Sequence, residues 1–362
     1  MKNKIGEKIL ILRLSAIGDV LHATPVAREL KKLQPDCHIT WLVSPPADKL
    51  LAENPYIDEL LVWDRRPLDK AFASFNLPAA CRELKKAWVL LKARQFDLVL
   101  DIQGLFLTGI LALLSGAKRR IGIHERHEGN PFFMSDMAPN IESPHKVHRY
   151  LSVLMPLGFD MSNFIPGLTL NLPQNLREFA GNFWQQHGID MNRPILMVTL
   201  RTTWPDKNWA PENFGLALKD LPPQVQIVFC GAPNDEAYIQ KAQALLQRPS
   251  LSIAGQTSLT ELAALLQSAD LLLACDTGPL HIADAVGCQT LSLWGPTQPD
   301  VYGPLTAGHE FVITPHECRR CLKTKCQHQT NACMQAITPE MVAERLKAIF
   351  FPQQTHKRWK NK

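Results

Sequence analysis

The sequence predicts an α/β protein made of two Rossmann-like domains that face each other across a central cleft. Short apolar runs, typical of strands buried on both faces, alternate with segments of helical periodicity. This alternation occurs twice, on either side of a segment rich in Pro, Asn and Gly. The expected divisions are an N-terminal domain (1–170), a linker region (171–193), a C-terminal domain (194–340) and a C-terminal helix with a basic tail (341–362).

The composition is that of a globular protein. The chain has 362 residues, of which 46% are apolar and 20% are charged, and this gives room for two ordinary domains. No apolar run approaches the roughly 20 residues of a membrane span. Arg13 interrupts the apolar stretch near the N-terminus, so we interpret that stretch as a first strand rather than a signal peptide and expect a cytoplasmic protein. The net charge of +5 is a mild bias, and no nucleic-acid partner is expected.

Two basic features could suit a membrane surface. Basic residues collect at both ends of the chain, in MKNKIGEK and HKRWKNK, where they could meet an anionic lipid surface or a phosphorylated acceptor. An amphipathic helix predicted at 79–95 carries basic side chains and Trp88, which could touch lipid headgroups. We favour the other interpretation of each feature, in which the ends of the chain are solvated and the helix covers the sheet.

The segment 269–297 carries the clearest ligand-binding pattern. A buried strand leads through a turn of sequence DTGP into an apolar-periodic helix and then a second strand. The residues of interest here are Asp276, Thr277, Gly278 and His281. Such a turn places free N–H groups and a helix dipole at the carboxyl end of a parallel sheet, where a phosphate binds readily. An ordinary helix cap with a chance histidine is the alternative.

Two strands of the first domain also end in polar turns. The strand at 8–14 is followed by Gly18, which permits a tight turn or a close approach to a ligand, and by Asp19. Asp19 could also act only as a helix cap. The strand at 97–100 delivers Asp101 to the same edge.

The polar segment 119–149 is long for an unstructured connection. It is therefore a candidate substrate loop, with Arg120 among its basic residues, or alternatively a surface excursion.

The first strand of the second domain, at 194–200, is followed by a predicted phosphate clamp. Two hydroxyl residues and two basic residues come just after it. They are Arg201, Thr202, Thr203 and Lys207. Flanking tryptophans indicate a semi-buried loop, whereas a polar surface loop is the alternative. The turns after the strands at 225–230 and 251–253 contain Asp235 and Thr257.

Taken together, these motifs resemble a known family. RLSAIGDVLHATP, DLVLDIQG, TTWPDKNWAPENF, CGAPNDE and CDTGPLHIADAVG are spread over nearly the whole chain. They resemble the motifs of the family 9 heptosyltransferases, which have the two-domain GT-B fold. The resemblance implies transfer of L-glycero-D-manno-heptose from ADP-heptose to the lipopolysaccharide inner core, with inversion and without a metal or other cofactor.

The resemblance also implies residue roles. Asp19 would be the general base that takes the proton from the attacking sugar hydroxyl. Lys207, with Thr202 and Thr203, would hold the diphosphate as charge builds on the leaving group. The other implied donor-site residues are Asp235, Thr257, Asp276, Thr277, Gly278 and His281. The implied acceptor-side residues are Gly18, Asp101 and Arg120.

Some positions depart from the family pattern. Asp235 stands where a glutamate near the ribose and base is expected, and Thr257 stands where a methionine contacts the base, so the nucleotide is less well defined than the phosphates. The TTWPDK loop resembles the enzyme that adds the first heptose, whereas the cysteine-rich tail resembles the one that adds the second. The acceptor is therefore left open between lipid A–Kdo and a heptosylated inner core, reached by peripheral contact with the inner membrane.

The cysteine-rich tail has a density of thiols that could bind a metal. Its cysteines are Cys318, Cys321, Cys326 and Cys333, with His316 and His328 nearby. Zinc binding is one interpretation, and reduced structural thiols are the favoured one. A helix at 338–351 is expected to follow and to pack on the first domain.

Other functions remain open from the sequence. A related transferase could use another nucleotide sugar or glycan, and an epimerase could share the fold. A Rossmann oxidoreductase is disfavoured because no G-x-G-x-x-G follows the first strand. A nucleotide-binding module without activity would not need both Asp19 and Lys207.

Overall fold

The structure is a computed structural model that describes residues 6–124, 128–323 and 325–351. The chain divides into two compact units, Met1–Asn171 and Leu172–Lys362. Within the described ranges, no helix combines the length and the apolar character needed to cross a bilayer. The basic ends of the chain lie largely outside the described residues.

The first unit is built on a six-stranded parallel sheet. Its strands are β1 (Lys8–Leu12), β2 (His38–Val43), β3 (Glu59–Val62), β4 (Leu98–Asp101), β5 (Arg119–Gly122) and β6 (Asp136–Met137). Its helices are α1 (Ile17–Leu33), α2 (Asp48–Leu51), α3 (Arg66–Ala73), α4 (Leu77–Lys92), α5 (Phe106–Leu114) and α6 (Lys146–Leu151). The strand order is β3-β2-β1-β4-β5-β6.

Burial on both faces explains the unbroken apolar run of β1. Residues 9–12 are completely buried, and each such aliphatic side chain contributes about 1.5–3 kcal/mol. The amphipathic helix α4 covers this sheet as predicted, through Ala80, Ala87 and Leu91, which belong to the same core cluster as Leu10.

The second unit repeats the same architecture. Its strands are β7 (Ile195–Thr199), β8 (Gln226–Cys230), β9 (Leu251–Ser252), β10 (Leu271–Cys275), β11 (Gln289–Trp294) and β12 (His309–Ile313). Its helices are α7 (Gln174–Gln186), α8 (Pro211–Leu218), α9 (Glu236–Leu246), α10 (Leu259–Ser268), α11 (Gly278–Val286), α12 (Pro299–Tyr302), α13 (Ala332–Gln335) and α14 (Pro339–Phe350). The strand order is β12-β11-β10-β7-β8-β9.

Each sheet has the Rossmann strand order, in which the chain starts at a central strand, moves to one edge and then returns to build the other half. The order reverses between β1 and β4 in the first unit and between β7 and β10 in the second. Ligands of such sheets bind at the carboxyl ends of the strands beside this reversal. The predicted α/β class with two Rossmann-like domains is therefore confirmed, and each unit has one such ligand-binding edge.

The polar segment 119–149 is not one long loop, as the sequence suggested. It contains β5, β6 and α6, which complete the first unit. The pattern was missed because these strands have four and two residues and lack the continuous apolar run of central strands. Residues 125–127 of this segment lie outside the described residues.

Two helices that the sequence analysis placed outside the second domain, α7 and α14, belong to the second unit. In the segment interpreted as a linker, α7 buries Trp184, whose Nε1 donates a hydrogen bond of 2.8 Å to Oγ of Ser268 on α10. The expectation that the last helix packs on the first domain is wrong. Val342, Leu346 and Phe350 of α14 are buried in the core of the second unit, together with side chains of β7 and α8.

Candidate active site

Asp19 lies in the first turn of α1, directly after the carboxyl end of β1. Its Oδ1 accepts a hydrogen bond of 2.7 Å from the hydroxyl of Tyr150 on α6, and its Oδ2 lies 2.7 Å from Nη2 of Arg13. The Asp19 side chain nevertheless keeps 31% of its surface exposed. The carboxylate is thus fixed from the protein side while part of it faces solvent, which is the arrangement that a general base needs.

Arg13 is a buried cation that the sequence analysis used only to reject a signal peptide. Burial opposes its charge, but the carboxylate of Asp19 outweighs that effect and raises the pKa of Arg13 above its ordinary value. Nη1 of Arg13 donates to the carbonyl of Ile102 at 3.0 Å, and its guanidinium lies 4.9 Å from the ring centroid of Tyr150. Arg13 and Tyr150 therefore orient Asp19 together.

Asp101 occupies the reversal point beside Asp19, at the carboxyl end of β4. Its side chain is completely buried. Oδ1 accepts from the backbone N–H of Gln103 and Gly104, both at 3.0 Å, and Oδ2 accepts from Nδ2 of Asn130 at 2.7 Å. Burial raises the pKa of Asp101 despite these hydrogen bonds. This buried carboxylate shapes the loop after β4, and its contact with an acceptor stays a prediction from the sequence.

The two other acceptor-side candidates are Gly18 and Arg120. Gly18 lies beside Asp19 in the first turn of α1 and is partly exposed, as a close approach to a ligand requires. The guanidinium of Arg120 on β5 donates to two backbone carbonyls, those of Ala117 and, at 2.7 Å, Phe133. This use of its donors indicates that Arg120 stabilises the edge of the sheet.

In the second unit, Lys207 and Asp276 form a buried ion pair at the reversal between β7 and β10. Nζ of Lys207 donates to Oδ2 of Asp276 at 2.6 Å and lies 4.1 Å from the ring centroid of Trp204. Nε2 of His281 lies 3.6 Å from Oδ1 of Asp276. Burial alone would raise the pKa of Asp276, but the neighbouring His281 imidazole and the charge of Lys207 hold it well below its usual value. The hydrogen bond to Asp276 holds the ammonium group of Lys207 in a fixed position.

The amino end of α11 lies at the same edge. Thr277 is its N-cap residue, Gly278 is its first residue, and His281 is in its first turn. Oγ1 of Thr277 donates a long hydrogen bond of 3.5 Å to the carbonyl of Arg201, which joins the turn after β10 to the loop after β7. Pro279 has no N–H, and the N–H of Leu280 donates to the carbonyl of Thr277 at 3.1 Å, so the N–H of Gly278 is the first donor that the helix leaves without a partner of its own. Together with Lys207 and the positive end of the helix dipole, it forms a site suited to a diphosphate.

The loop after β7 holds the two predicted threonines. The backbone N–H of Thr202 donates to Oδ1 of Asn208 at 2.7 Å, and its hydroxyl donates to the carbonyl of Trp204 at 2.6 Å. These bonds stabilise the turn that carries Lys207. Thr203 is exposed beside it.

The remaining donor-site candidates follow β8 and β9, on the other side of β7. Nη1 of Arg201 donates to Oδ1 of Asp235 at 2.8 Å, while the backbone N–H of Ala232 donates to Oδ2 at 2.8 Å. The Arg201 guanidinium also lies 4.6 Å from the ring centroid of Tyr238. The structure thus pairs Arg201, predicted as part of the phosphate clamp, with Asp235. Thr257 is partly exposed in the turn before α10.

The four tail cysteines lie around one cavity of about 280 Å³. Its lining residues include Cys318, Cys321, Cys326, Cys333, His316 and His328. In the part of the chain that the structure describes, no group of three or more His, Cys, Asp or Glu side chains is placed to hold a metal ion, and the cysteines are free thiols. Zinc binding stays a hypothesis from the sequence.

The sequence analysis missed three side chains of these two sites, namely Arg13, Tyr150 and Tyr238. Tyr150 is 131 positions from Asp19, so no local pattern could join them. A usable signal existed for Arg13, because a charged residue within a buried strand run needs a partner of opposite charge.

Replacing Tyr150 by Phe removes one hydrogen bond to Asp19 and keeps the ring beside Arg13. If Asp19 is the base, we expect kcat to fall by about tenfold, as for a group worth one charge-assisted hydrogen bond. Steady-state kinetics measure this effect, and an unchanged kcat would contradict the role of Tyr150 in orienting Asp19.

The comparisons with known proteins agree with this geometry. The model of glycosyltransferase family 9 (heptosyltransferase) matches residues 84–332. The lipopolysaccharide core heptosyltransferase OpsX of Haemophilus influenzae is 30% identical over 294 residues, which are 80% of this chain and 79% of the relative. Lipopolysaccharide heptosyltransferase 1 of Pseudomonas aeruginosa is 25% identical, with 96% of this chain and 99% of the relative covered.

A solved structure shares the fold over the whole chain. The Escherichia coli ADP-heptose lipopolysaccharide heptosyltransferase II superposes with a TM-score of 0.74 at 20% identity, and 96% of this chain and 100% of that chain are covered. Family match and sequence similarity identify one family, and the solved structure has the same fold. The chain belongs to glycosyltransferase family 9 (heptosyltransferase), and the protein is a glycosyltransferase.

Proposed function

We propose that this enzyme transfers L-glycero-D-manno-heptose from ADP-heptose to the inner core of lipopolysaccharide, with inversion at the anomeric carbon. The proposal rests on the pair of sites at the points where the strand order reverses, between β1 and β4 in the first unit and between β7 and β10 in the second. One is a carboxylate held by Arg13 and Tyr150, and the other is a buried lysine beside a helix amino end. The relatives, which are named as lipopolysaccharide heptosyltransferases, support the choice of sugar and acceptor.

In the proposed mechanism, the first unit binds the acceptor and Asp19 takes the proton from its attacking hydroxyl. The hydroxyl oxygen forms a bond to the anomeric carbon as the bond from that carbon to the diphosphate oxygen breaks. A single displacement of this kind inverts the anomeric centre. Because Arg13 and Tyr150 fix Asp19 before the acceptor arrives, little reorganisation is needed in the transition state.

The second unit would bind the donor and stabilise the leaving ADP. Lys207 uses one of its three donors on Asp276, which fixes the direction of the ammonium group. Its other donors, with the N–H of Gly278 and the positive end of the α11 dipole, can meet the negative charge that builds on the diphosphate. Thr202 and Thr203 would line this loop, while Asp235 and Thr257 lie where the ribose and base would bind. The proposed place of action is the cytoplasmic face of the inner membrane, where the lipid-linked acceptor is available.

The test is a transfer assay with ADP-heptose and two acceptors, heptose-free lipid A–Kdo and its mono-heptosylated form. Transfer to one of them, detected by mass spectrometry, would support the proposal and identify which heptose is added. ADP binding without transfer to either acceptor would contradict the heptose assignment, and other nucleotide sugars would then be screened.

A further inference from the structure

The turn between α3 and α4 exposes three large apolar side chains. Phe72, Phe75 and Leu77 keep 52%, 90% and 66% of their surface exposed. They are close in sequence, at the end of α3, in the connecting turn and at the start of α4. A cluster of this kind, unlike a single exposed hydrophobic residue, indicates an interaction surface.

The backbone conformation at position 75 does not favour a phenylalanine. This residue follows the end of α3 with a φ of 54°, in the left-handed region that favours glycine. Its N–H donates to the carbonyl of Phe72 at 3.1 Å, and the N–H of Asn76 donates to that of Ala71 at 2.8 Å. This is a helix-terminating motif in which glycine is the preferred residue at the position of Phe75. The phenyl ring packs on little of the protein, so its apolar surface is available to a partner.

Basic side chains surround this apolar turn. The stretch 66–92 contains six basic and two acidic residues. The acidic ones are already paired, Asp69 with Arg65 and Glu83 with Lys86. Lys70, Arg82 and Lys85 are exposed, and none of them has an ion-pair partner among the residues that the structure describes. The charge of the surface therefore suits an anionic partner.

The sheet topology places this turn toward the proposed acceptor site. β3 and β4 are parallel members of one sheet, and α3 and α4 connect them. A helix that returns to the start of a parallel strand runs from the carboxyl edge toward the amino edge. The beginning of α4 is therefore on the side of the carboxyl edge, the edge at which Asp19 lies.

We propose that the α3–α4 turn docks the enzyme on an anionic bilayer. Phe72, Phe75 and Leu77 insert at the boundary between headgroups and acyl chains, and Lys70, Arg82 and Lys85 contact the headgroups. Apolar insertion and attraction to anionic lipids act together in interfacial binding. The inference rests on the proposed function in that a lipid-linked acceptor would be presented at such a surface.

The test is co-sedimentation of the full chain with vesicles of phosphatidylethanolamine and phosphatidylglycerol, with phosphatidylcholine vesicles for comparison. We expect binding to the anionic vesicles that weakens with salt. The variant Phe75→Gly/Leu77→Ser should lower the partition coefficient by at least about tenfold. Phe75→Gly suits the backbone at this position, so the variant should fold normally. Met191→Ser, at an exposed apolar residue of the second unit, is the matched control and should bind as the native chain does.

The outcomes separate this inference from the proposed function. Equal vesicle binding by the native chain and Phe75→Gly/Leu77→Ser, or no binding by the native chain, would overturn the docking surface. Transfer to a deacylated, water-soluble acceptor should be the same in both proteins, because the changed residues are not in the catalytic site. Vesicle binding that depends on the turn, without heptose transfer to any acceptor, would support the docking surface and refute the proposed function.

Discussion

Replacing Asp19 by Asn is expected to lower kcat by about 10²–10⁴-fold, the usual contribution of a general base. Asn has nearly the same shape and can still accept a hydrogen bond from Tyr150, but it cannot take the proton of the acceptor hydroxyl. The binding of ADP should not change, because its proposed site is formed by residues of the second unit. Steady-state kinetics and calorimetric titration with ADP measure the two quantities.

The first unit offers a matched control for this variant. Asp64 also follows a strand of the sheet and is also paired with an arginine, since its Oδ2 lies 2.6 Å from Nη2 of Arg66. Its side chain is exposed to a similar degree, 35% against 31% for Asp19. Asp64→Asn should keep full activity. If Asp19→Asn retained activity within about threefold, a difference too small for a lost general base, another base would have to be sought.

Asp19→Asn also affects stability, because it leaves the buried guanidinium of Arg13 without its counter-charge. We expect a loss of about 1–2 kcal/mol in the free energy of unfolding, less than for a fully buried pair because Asp19 is partly exposed. This is small enough for the kinetic comparison to be made on folded protein, which circular dichroism can check.

The second large effect is expected for Lys207→Met. Loss of the ammonium group should lower kcat by about 10²–10³-fold, as for other groups that stabilise a developing anion. It also leaves Asp276 buried without its cation, which should cost about 3 kcal/mol or more of unfolding free energy. Kinetics and urea unfolding at pH 7 measure these effects. Lys219→Met, at an exposed lysine of the same unit, should change neither quantity.

A double variant separates the two consequences of losing Lys207. Lys207→Met/Asp276→Asn removes the unpaired charge, so much of the lost stability should return while activity stays low. If the double variant recovered activity as well, the role of Lys207 would be to neutralise Asp276, and the leaving-group role would be refuted.

The stability effect should depend on pH in a defined direction. In the native protein the pKa of Asp276 lies well below the ordinary value of an aspartate, 3.8, so its ionised form contributes stability that is present above pH 3.8 and is lost as the pH falls below it. In Lys207→Met the unpaired carboxyl group can take up a proton more readily. The difference in stability between native and variant chains should therefore be largest near pH 7 and should shrink as the pH falls toward 4. A difference that grows on acidification would contradict the assignment.

Much of this protein was determined by local sequence. The strands β1, β7 and β10 were predictable because a strand buried on both faces is a short apolar run whatever its neighbours are. The positions of Asp19 and of the turn at Asp276 followed from them, since Asp19 lies in the first turn of the helix after β1 and Asp276 comes directly after β10. The fold class and both ligand-binding edges were therefore within reach of the sequence.

Tertiary structure alone decided which polar side chains meet. Tyr150 reaches Asp19 across 131 positions, and Lys207 reaches Asp276 across 69. It also decided that the carboxylate of Asp101 accepts hydrogen bonds within its own loop, and that part of a polar segment forms the strands β5 and β6, of which β6 is at the edge of the sheet. The physical reason is that a buried strand can be recognised from its own apolar residues. The partner of a charged group, in contrast, depends on where distant elements of the chain pack.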